Sequence, residues 1–335
     1  MFFDSLRFIS EILLELTMVS NLNAVFQNFT NSVSIGIIMT SYNRKETTLK
    51  CLSSVFGADK IDGLTYIIYL VDDGSSDGTG DAVKLKYPSV QIISGTGNLY
   101  WNRGMNLGFS KAMDDCHDFY LWLNDDVFIN KDVFRLLMNC YVRNFVQGEI
   151  GPVIVGALLD HLDKKNNQES NGVSYAGILK TKSKWIPKSR LVYSSNCDLA
   201  CDSFLGNCVL IPNEVVSRIG NLDPIFPHAM GDMDYGYRCS SQGIRIFLCK
   251  DIVGFCRNDS SNTKLYSSMY QGNWKTFSIF KRLKIISDVK NFPPKGWFVF
   301  SFRYLGWLWL LRFARPYVLA IFPGLISSRG SRDSY

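Results

Sequence analysis

Two adjacent carboxylates follow an apolar stretch near the middle of the chain. Residues 119–123 read as a buried strand, and Asp125 and Asp126 come shortly after its end. A buried acidic pair is costly unless a cation meets it. Together with Asn124 these hard oxygen ligands suit Mg²⁺ or Mn²⁺, which can bridge the two phosphates of a nucleotide. We therefore predict a metal site at Asn124, Asp125 and Asp126; a helix cap before Val133 is the alternative.

A second acidic strand end lies upstream, where Asp72 and Asp73 follow a strand predicted over residues 66–71. A carboxylate in that place can accept a hydrogen bond from a pyrimidine N–H or from a ribose hydroxyl. Asp-Gly is also a common turn. These residues alone therefore leave open both nucleotide binding and a simple turn.

A third acidic pair, Asp232 and Asp234, stands at the start of a helix predicted over residues 232–243. A carboxylate there could take the proton from an acceptor hydroxyl. Acids in a first helical turn also stabilise the helix dipole. Taken alone, the pair favours this structural alternative.

The loop after the first predicted strand combines hydroxyls, an aromatic ring and a guanidinium. Its residues are Thr40, Ser41, Tyr42 and Arg44. Such a set can hold a base, a ribose and a phosphate. An ordinary helix N-terminus is the alternative for this loop on its own.

Alternating elements must position these groups. Short apolar runs at residues 35–39, 66–71, 90–93 and 119–123 alternate with stretches of helical spacing. This order predicts an α/β fold with a mostly parallel central sheet covered on both faces by helices. Ligands of such sheets gather beyond the carboxyl ends of the strands. We therefore expect Thr40, Asp73 and Asp125 along one edge.

The order of these motifs resembles glycosyltransferase family 2, whose members have the GT-A fold. The resemblance runs from about Val33 to Asn258. It implies that Asn124, Asp125 and Asp126 correspond to the metal-binding DXD motif, with Asp126 as the direct ligand. It also implies that Asp232 is the catalytic base and that the Thr40 and Asp72 loops bind nucleotide.

Some residues depart from the family pattern. Gly231 replaces the Glu of the Glu-Asp motif, Cys256 stands where many members carry a His, and Arg103 could replace an Arg of the third loop. These changes are similar to a bacterial subset of the family. The resemblance implies additional nucleotide contacts at Asn98, Trp101, Arg103 and Asn106. It implies acceptor contacts at Gly206, Asn207 and Asp234.

The expected function is a metal-dependent inverting transfer of a sugar from a UDP- or dTDP-linked donor to a lipid-linked glycan, in O-antigen or capsule assembly. A nucleotidyltransferase is one alternative, although the Thr40 loop has no Gly. A dehydrogenase would need a third Gly in the dinucleotide fingerprint, which the Gly95 loop lacks. A non-catalytic carbohydrate- or membrane-binding protein is the last alternative.

The C-terminal part of the chain is aromatic and basic. From Trp297 onward, aromatic and aliphatic residues are interrupted by Arg303, Arg312 and Arg315. The longest charge-free run is far below the roughly 20 residues of a spanning helix, and the composition suits the headgroup region of an anionic membrane. We expect peripheral contact with the cytoplasmic face of the inner membrane; packing on protein is the alternative.

Composition bounds the remaining possibilities. The 335 residues are 47% hydrophobic and 20% charged, with a net charge of +6 and nine cysteines that we interpret as free thiols of a reducing cytosol. The acidic clusters argue against a nucleic-acid partner. The predicted divisions are a leader at 1–31, a nucleotide-sugar-binding half at 32–135, an acceptor-binding half at 136–260 and an amphipathic helical tail at 261–335.

Overall fold

The computed structural model describes residues 32–160, 173–175, 177–180, 189–192, 196–256 and 274–325. The predicted leader at 1–31 lies outside these residues. The strands are β1 Val33–Ser41, β2 Leu64–Asp72, β3 Gln91–Ser94, β4 Phe119–Leu123, β5 Val127–Ile129, β6 Val153–Asp160, β7 Val173–Tyr175, β8 Gly177–Lys180, β9 Ser189–Val192, β10 Leu199–Cys201, β11 Ser203–Phe204, β12 Cys208–Pro212 and β13 Ile246–Cys256. The helices are α1 Lys45–Phe56, α2 Thr79–Lys86, α3 Tyr100–Asp114, α4 Val133–Asn144, α5 Asn213–Ile219, α6 Gly231–Ser241, α7 Ile279–Ile286, α8 Pro294–Tyr304 and α9 Trp309–Ile321.

One ten-stranded sheet forms the centre, and its main path runs in the order β10, β13, β6, β12, β4, β1, β2, β3. The pairs β4–β1, β1–β2 and β2–β3 are parallel, because α1, α2 and α3 provide the crossover connections between them. Strand β12 runs antiparallel to both β4 and β6, whereas β13 is parallel to β6. The predicted α/β sheet flanked by helices is confirmed, with the antiparallel pairs concentrated in its second half.

Apolar layers hold helices on both faces of this sheet. Strand β1 is buried on both sides, as its continuous apolar run predicts for a central parallel strand. On one face Leu52 and Val55 of α1 join the core, and on the other Met105 and Phe109 of α3 do so. Phe109 lies edge-on to Trp122 of β4, with ring centroids 5.7 Å apart. Helix α3 begins at Tyr100, at the edge that carries the acidic residues.

Strand β13 is longer than the sequence pattern predicts. The apolar run at residues 244–248 predicts a strand there. The observed strand extends instead from Ile246 to Cys256, and it pairs antiparallel with β5. This pairing sets Cys256 opposite Val127, directly after the acidic pair at Asp125 and Asp126. A separate three-stranded sheet, in the order β11, β8, β9, lies beside α6.

Three short helices, α7, α8 and α9, complete the described chain, as the predicted helical tail requires. Phe300 of α8 packs against Phe226 and Tyr237 of the main domain. Tyr317 of α9 donates a hydrogen bond to the carbonyl of Phe292. Within the described residues, no helix has the length and apolarity needed to cross a bilayer.

Candidate active site

The acidic motifs meet at the carboxyl edge of the parallel strands. In the β1–β2 register Thr40 is paired with Val71, and Ser41 with Asp72. Strand β4 lies on the other side of β1, so Asn124 follows at the same edge. The expected placement of Thr40, Asp73 and Asp125 along one edge therefore holds in the structure.

Arg44 forms an ion pair with each carboxylate of the central acidic pair. One guanidinium nitrogen lies 2.8 Å from Asp125 Oδ1, and the other lies 2.9 Å from Asp126 Oδ2. The Arg44 side chain is 36% exposed, whereas those of Asp125 and Asp126 are 5% and 17% exposed. The loop between β1 and α1 thus places a cation across the two acids that the sequence predicts as metal ligands.

Burial dominates the electrostatics of Asp125. It raises the pKa of that carboxyl to about 6; the Arg44 charge opposes the rise and the Asp126 charge adds to it. Asp126 is less enclosed, and its Oδ1 accepts a hydrogen bond from the Cys256 thiol at 3.6 Å. Two carboxylates at a strand end, one of them partly open, have the donor atoms that a hard divalent cation prefers. These carboxylates fit Mg²⁺ or Mn²⁺, provided that Arg44 gives up one or both of its ion pairs with them.

Asn124 is the connecting residue of the site. Its Oδ1 accepts from Trp101 Nε1 at 2.6 Å, and its amide nitrogen donates to Asn207 Oδ1 at 2.7 Å. These bonds tie α3, β4 and the residue before β12 together. The role of Asn124 as a metal ligand stays a prediction, and it would require the bond from Trp101 to open or to be shared.

Asp73 shapes the third loop. It is 4% exposed, and its carboxylate accepts from the backbone N–H groups of Gly97, Leu99 and Tyr100 at 2.8–3.1 Å. It therefore holds the chain at the start of α3, whose first residue, Tyr100, has a positive φ of 58°. Nucleotide binding by Asp73 stays a prediction, alongside this structural role.

The two nucleotide-loop candidates contact each other directly. Asp72 accepts from the backbone N–H groups of Ser75 and Gly80, which closes the turn after β2. Asn43 accepts from the Ser76 N–H at 2.7 Å, so the Thr40 loop is joined to this turn. Tyr42 is 52% exposed beside the junction and presents an unshielded aromatic face, as a base-stacking residue requires.

Asp232 lies at the first turn of α6 and is fixed by two backbone donors. Oδ2 accepts from the Gly206 N–H at 2.9 Å, and Oδ1 accepts from the Met233 N–H at 2.8 Å. Burial raises the pKa of Asp232 above its ordinary value, although both hydrogen bonds oppose the rise. A raised pKa brings a carboxylate nearer to the range in which a general base is effective.

Gly206 is a close-packing point between the acidic groups. A Cβ built there would lie 2.8 Å from the Trp101 ring and 3.0 Å from Asp232 Cβ. Its neighbour Asn207 bonds Asn124, as described above. A continuous series of contacts therefore joins Asp73, Trp101, Asn124 and Asp232.

Asp234 faces away from this edge. It is fully buried, and it accepts from Arg238, Arg303 and Tyr304 at 2.7–2.9 Å. These bonds connect α6 with α8. An acceptor-binding role for Asp234 stays a prediction, and it would require this network to open.

The remaining predicted nucleotide residues lie along α3 and the loop before it. Arg103 and Asn106 donate to the carbonyls of Pro224 and Leu222, so both are engaged with the loop that precedes α6. Asn98 is exposed in the loop that Asp73 holds. The structure therefore brings Asn98 and Trp101 near the acidic edge and turns Arg103 and Asn106 toward the 222–224 backbone.

Two residues at the site were not identified from the sequence. Asn102 is fully buried and donates to the carbonyls of Asp223 and Phe226, and a Cβ on Gly231 would overlap its Oδ1. His228 Nδ1 accepts from the Trp101 N–H at 3.4 Å, and burial lowers the pKa of His228 to about 4. A polar residue on the apolar face of α3 could have identified Asn102 from the sequence. His228 stands alone in the sequence, so no pattern identifies it.

Residues 36–199 match the family model described as Glycosyl transferase family 2. The mixed sheet and this match confirm the predicted GT-A-like fold. No curated protein matches the chain in sequence.

Several solved structures are distantly similar. S. aureus TarS has 15% identity and a TM-score of 0.48, with 71% of this chain and 38% of TarS covered. S. aureus TarS 1–349 in complex with UDP has 14% identity and a TM-score of 0.46, with 71% and 63% covered. Mannosyltransferase PcManGT from Pyrobaculum calidifontis in complex with GDP-Man and Mn²⁺ has 13% identity and a TM-score of 0.47, with 94% and 86% covered.

Proposed function

We propose that this chain, with its glycosyltransferase family 2 domain at residues 36–199, transfers a sugar with inversion from a nucleoside-diphosphate donor to an alcohol. The donor class is UDP- or dTDP-linked sugar, and the acceptor is a lipid-linked glycan of a surface polysaccharide such as O-antigen or capsule. The observation that carries the proposal is the series of contacts at one edge in which Asn124, two residues before Asp126, bonds Asn207, and the adjacent Gly206 bonds Asp232.

In this reaction Asp232 accepts the proton of the acceptor hydroxyl. The oxygen attacks the anomeric carbon from the face opposite the diphosphate, a new C–O bond forms, and the bond to the diphosphate oxygen breaks. The N–H groups of Gly206 and Met233 hold the carboxylate in one orientation. This orientation is the contribution of the fold to the step, since a positioned base accelerates such transfers by about 10²–10⁴-fold.

Asp126, with Asp125 behind it, would hold Mg²⁺ or Mn²⁺. When bound, such an ion would stabilise the charge of the departing diphosphate. Thr40 and Tyr42, at and after the end of β1, and Asp73, after the end of β2, are the proposed binding groups for the nucleoside. Their hydroxyl, aromatic and carboxylate groups match a ribose, a base and a base N–H.

The proposed acceptor requires contact with a membrane, and the C-terminal helices offer a surface for it. Among the described residues, eleven of the eighteen exposed large apolar side chains belong to residues 274–325, with Phe302, Trp307 and Leu311 more than 60% exposed. The same stretch has nine Lys and Arg residues and one acidic residue, Asp288. Basic residues near aromatic ones favour an anionic leaflet, which supports the cytoplasmic face of a bacterial inner membrane as the proposed location.

The decisive experiment measures which product is released. The protein is incubated with Mn²⁺, a lipid-linked glycan and each of a set of nucleotide sugars, and free nucleoside diphosphate is quantified. We expect release of UDP or dTDP that depends on both donor and acceptor. Release of pyrophosphate from a nucleoside triphosphate and a sugar phosphate would instead show a nucleotidyltransferase. Turnover with none of the donors would leave a binding protein as the function.

A further inference from the structure

The central acidic pair already has a cation, and that cation belongs to the protein. Arg44 places one nitrogen on Asp125 and another on Asp126, at 2.8 and 2.9 Å. Adjacent buried carboxylates repel each other, and a guanidinium fork across both of them relieves that repulsion. The single charge of Arg44 leaves one negative charge uncompensated in the cluster.

Arg44 pairs with two of the carboxylate oxygens that would hold a divalent cation. Such an ion would compete with the guanidinium for Asp126 Oδ2 and Asp125 Oδ1. Arg44 can yield, because its side chain is 36% exposed and is carried by the short connection between β1 and α1. The preceding residue, Asn43, has a left-handed φ of 51°, a conformation that Asn tolerates well.

A displaced guanidinium needs another anion. Asp77 of the adjoining turn already accepts from the backbone N–H groups of Lys45 and Thr79 and from the Thr79 hydroxyl. A diphosphate held at this edge would present oxygens that suit the fork of an arginine. Loss of the bonds to Asp125 and Asp126 would then be offset only when such a ligand arrives with the metal.

We propose that Arg44 is an internal counter-cation that opposes metal binding in the free protein and moves to the diphosphate when the donor enters. Metal and nucleotide then bind as a coupled pair. Coupling of this kind is reciprocal, so each ligand strengthens the other by the same factor. This inference rests on the proposed function for the identity of the ligand, and it adds the order in which the cleft accepts its two components.

The test measures Mn²⁺ affinity without turnover. Free Mn²⁺ is followed by electron paramagnetic resonance during titration of wild type, Arg44→Ala and Arg44→Lys, with and without UDP. We expect Arg44→Ala to bind Mn²⁺ alone about tenfold more tightly than wild type, within the roughly 5–150-fold range of typical couplings. Arg44→Lys keeps the charge without the fork and should lie between them. The enhancement by UDP should be smaller in Arg44→Ala.

Lys45→Ala is the matched control. It removes a neighbouring positive charge whose side chain makes no ion pair with either carboxylate within the described part of the chain. We expect it to bind Mn²⁺ as wild type does. Equal Mn²⁺ affinity in wild type and Arg44→Ala, or an equal gain in Lys45→Ala, would overturn the proposal.

Thermal unfolding with Mn²⁺ but no nucleotide covers the case in which Arg44→Ala is unstable. Without Arg44 the two carboxylates should bind Mn²⁺ more readily, and this binding stabilises the folded protein. Mn²⁺ should therefore raise the melting temperature of Arg44→Ala by more than that of wild type. Absence of this rise would also refute the inference. Sugar transfer with no effect of Arg44 on Mn²⁺ binding would refute this inference alone, whereas an Arg44 effect without transfer would refute only the proposed function.

Discussion

At the scale of single residues, the proposed role of Asp232 as a base is the most directly testable. Each of its two carboxylate oxygens accepts from one backbone N–H, of Gly206 or of Met233. An amide side chain has the same shape but only one acceptor oxygen, so Asp232→Asn keeps one of these bonds and cannot accept a proton as the base. We predict that Asp232→Asn lowers kcat by about 10²–10⁴-fold, the contribution of a positioned base. Steady-state kinetics with the identified donor measures this loss.

Donor affinity provides the control for that variant. Asp232 makes none of the described contacts to the Thr40 or Asp72 loops, so titration calorimetry should give an unchanged Kd for the nucleotide. Full turnover by Asp232→Asn would remove this carboxylate from the mechanism. A parallel loss of donor binding would assign it to the nucleotide site instead.

The environment of Asp232 also predicts a pH dependence. Burial raises the pKa of this carboxyl above its ordinary value of 3.8. A base acts in its deprotonated form, so kcat/KM should fall as the pH decreases through the raised pKa, with an acidic limb above pH 3.8. A pH profile of wild type should show this limb, and the residual rate of Asp232→Asn should lack it. A profile that is flat down to the ordinary carboxyl pKa would contradict the assignment.

At the scale of elements, Gly206 allows α3 and α6 to pack closely against the segment that precedes β12. A methyl group there would meet the Trp101 ring at 2.8 Å and Asp232 Cβ at 3.0 Å. We predict that Gly206→Ala destabilises the fold by about 1–3 kcal/mol, as overpacking typically does, and lowers kcat further by displacing Asp232. Denaturant unfolding and kinetics measure the two effects separately.

Gly324 offers a matched control for that substitution. A Cβ there has no heavy atom within 4 Å, and its backbone has no left-handed φ. Gly324→Ala should therefore leave both stability and turnover close to wild type. If Gly206→Ala also changed neither stability nor turnover, the packing of Gly206 against Trp101 and Asp232 would have room for a methyl group, contrary to this prediction.

A second element-scale contact joins α8 to α6. Arg303 pairs with the fully buried Asp234 at 2.7 Å and with Asp223 at 2.9 Å. We predict that Arg303→Gln destabilises the fold by about 1.5–3 kcal/mol, the usual value for a hydrogen bond to a charged group. The loss is moderated because Asp234 keeps Arg238 and Tyr304. Arg315→Gln, at an exposed position of α9, is the control and should change the free energy of unfolding little.

The elements that could be predicted are those whose pattern is local. The strand at residues 119–123 and the helix at 232–243 were predicted to within a few residues, because short apolar runs and helical spacing determine them. The full length of β13 and the existence of β5 could not be predicted. Both depend on pairing between residues more than 120 positions apart, such as Gly254 with Ile129.

The candidate site was predictable in its location and only partly in its contacts. Strand ends that share an edge follow from the α/β order, so Thr40, Asp73 and Asp125 were expected together. The sequence cannot show that the Asp73 carboxylate is bonded to three backbone amides, or that Arg44 reaches Asp125. Those contacts depend on loop conformation, which single-residue patterns do not encode.

At the scale of the whole molecule, the C-terminal helices are joined to α6, the helix that carries Asp232. Arg303 and Tyr304 of α8 bond Asp234, which lies two residues after Asp232 in α6. Removing the chain after Pro294 would therefore leave Asp234 with fewer partners and disturb the helix that carries the proposed base, Asp232. Truncation cannot separate membrane contact from folding, and substitutions on the exposed face of α8 and α9 are the sharper test.

We predict that Phe302→Ser combined with Leu311→Ser weakens binding to anionic vesicles. These side chains are 64% and 68% exposed, so their replacement should cost the fold little. Insertion of each into the lipid interface would contribute roughly 1.5–3 kcal/mol, so partitioning should fall by about tenfold or more per residue. Flotation with vesicles of phosphatidylserine and phosphatidylcholine measures it.

The positive charge of the same surface predicts how binding depends on lipid charge and on salt. With nine basic residues and one acidic residue in 274–325, wild type should bind anionic vesicles better than neutral ones, and less well as salt increases. Leu85→Ser is the control, because Leu85 is 86% exposed on α2, outside the C-terminal helices. If the double variant floats as well as wild type, or if Leu85→Ser loses as much binding, the aromatic face of α8 and α9 is a contact for protein rather than lipid.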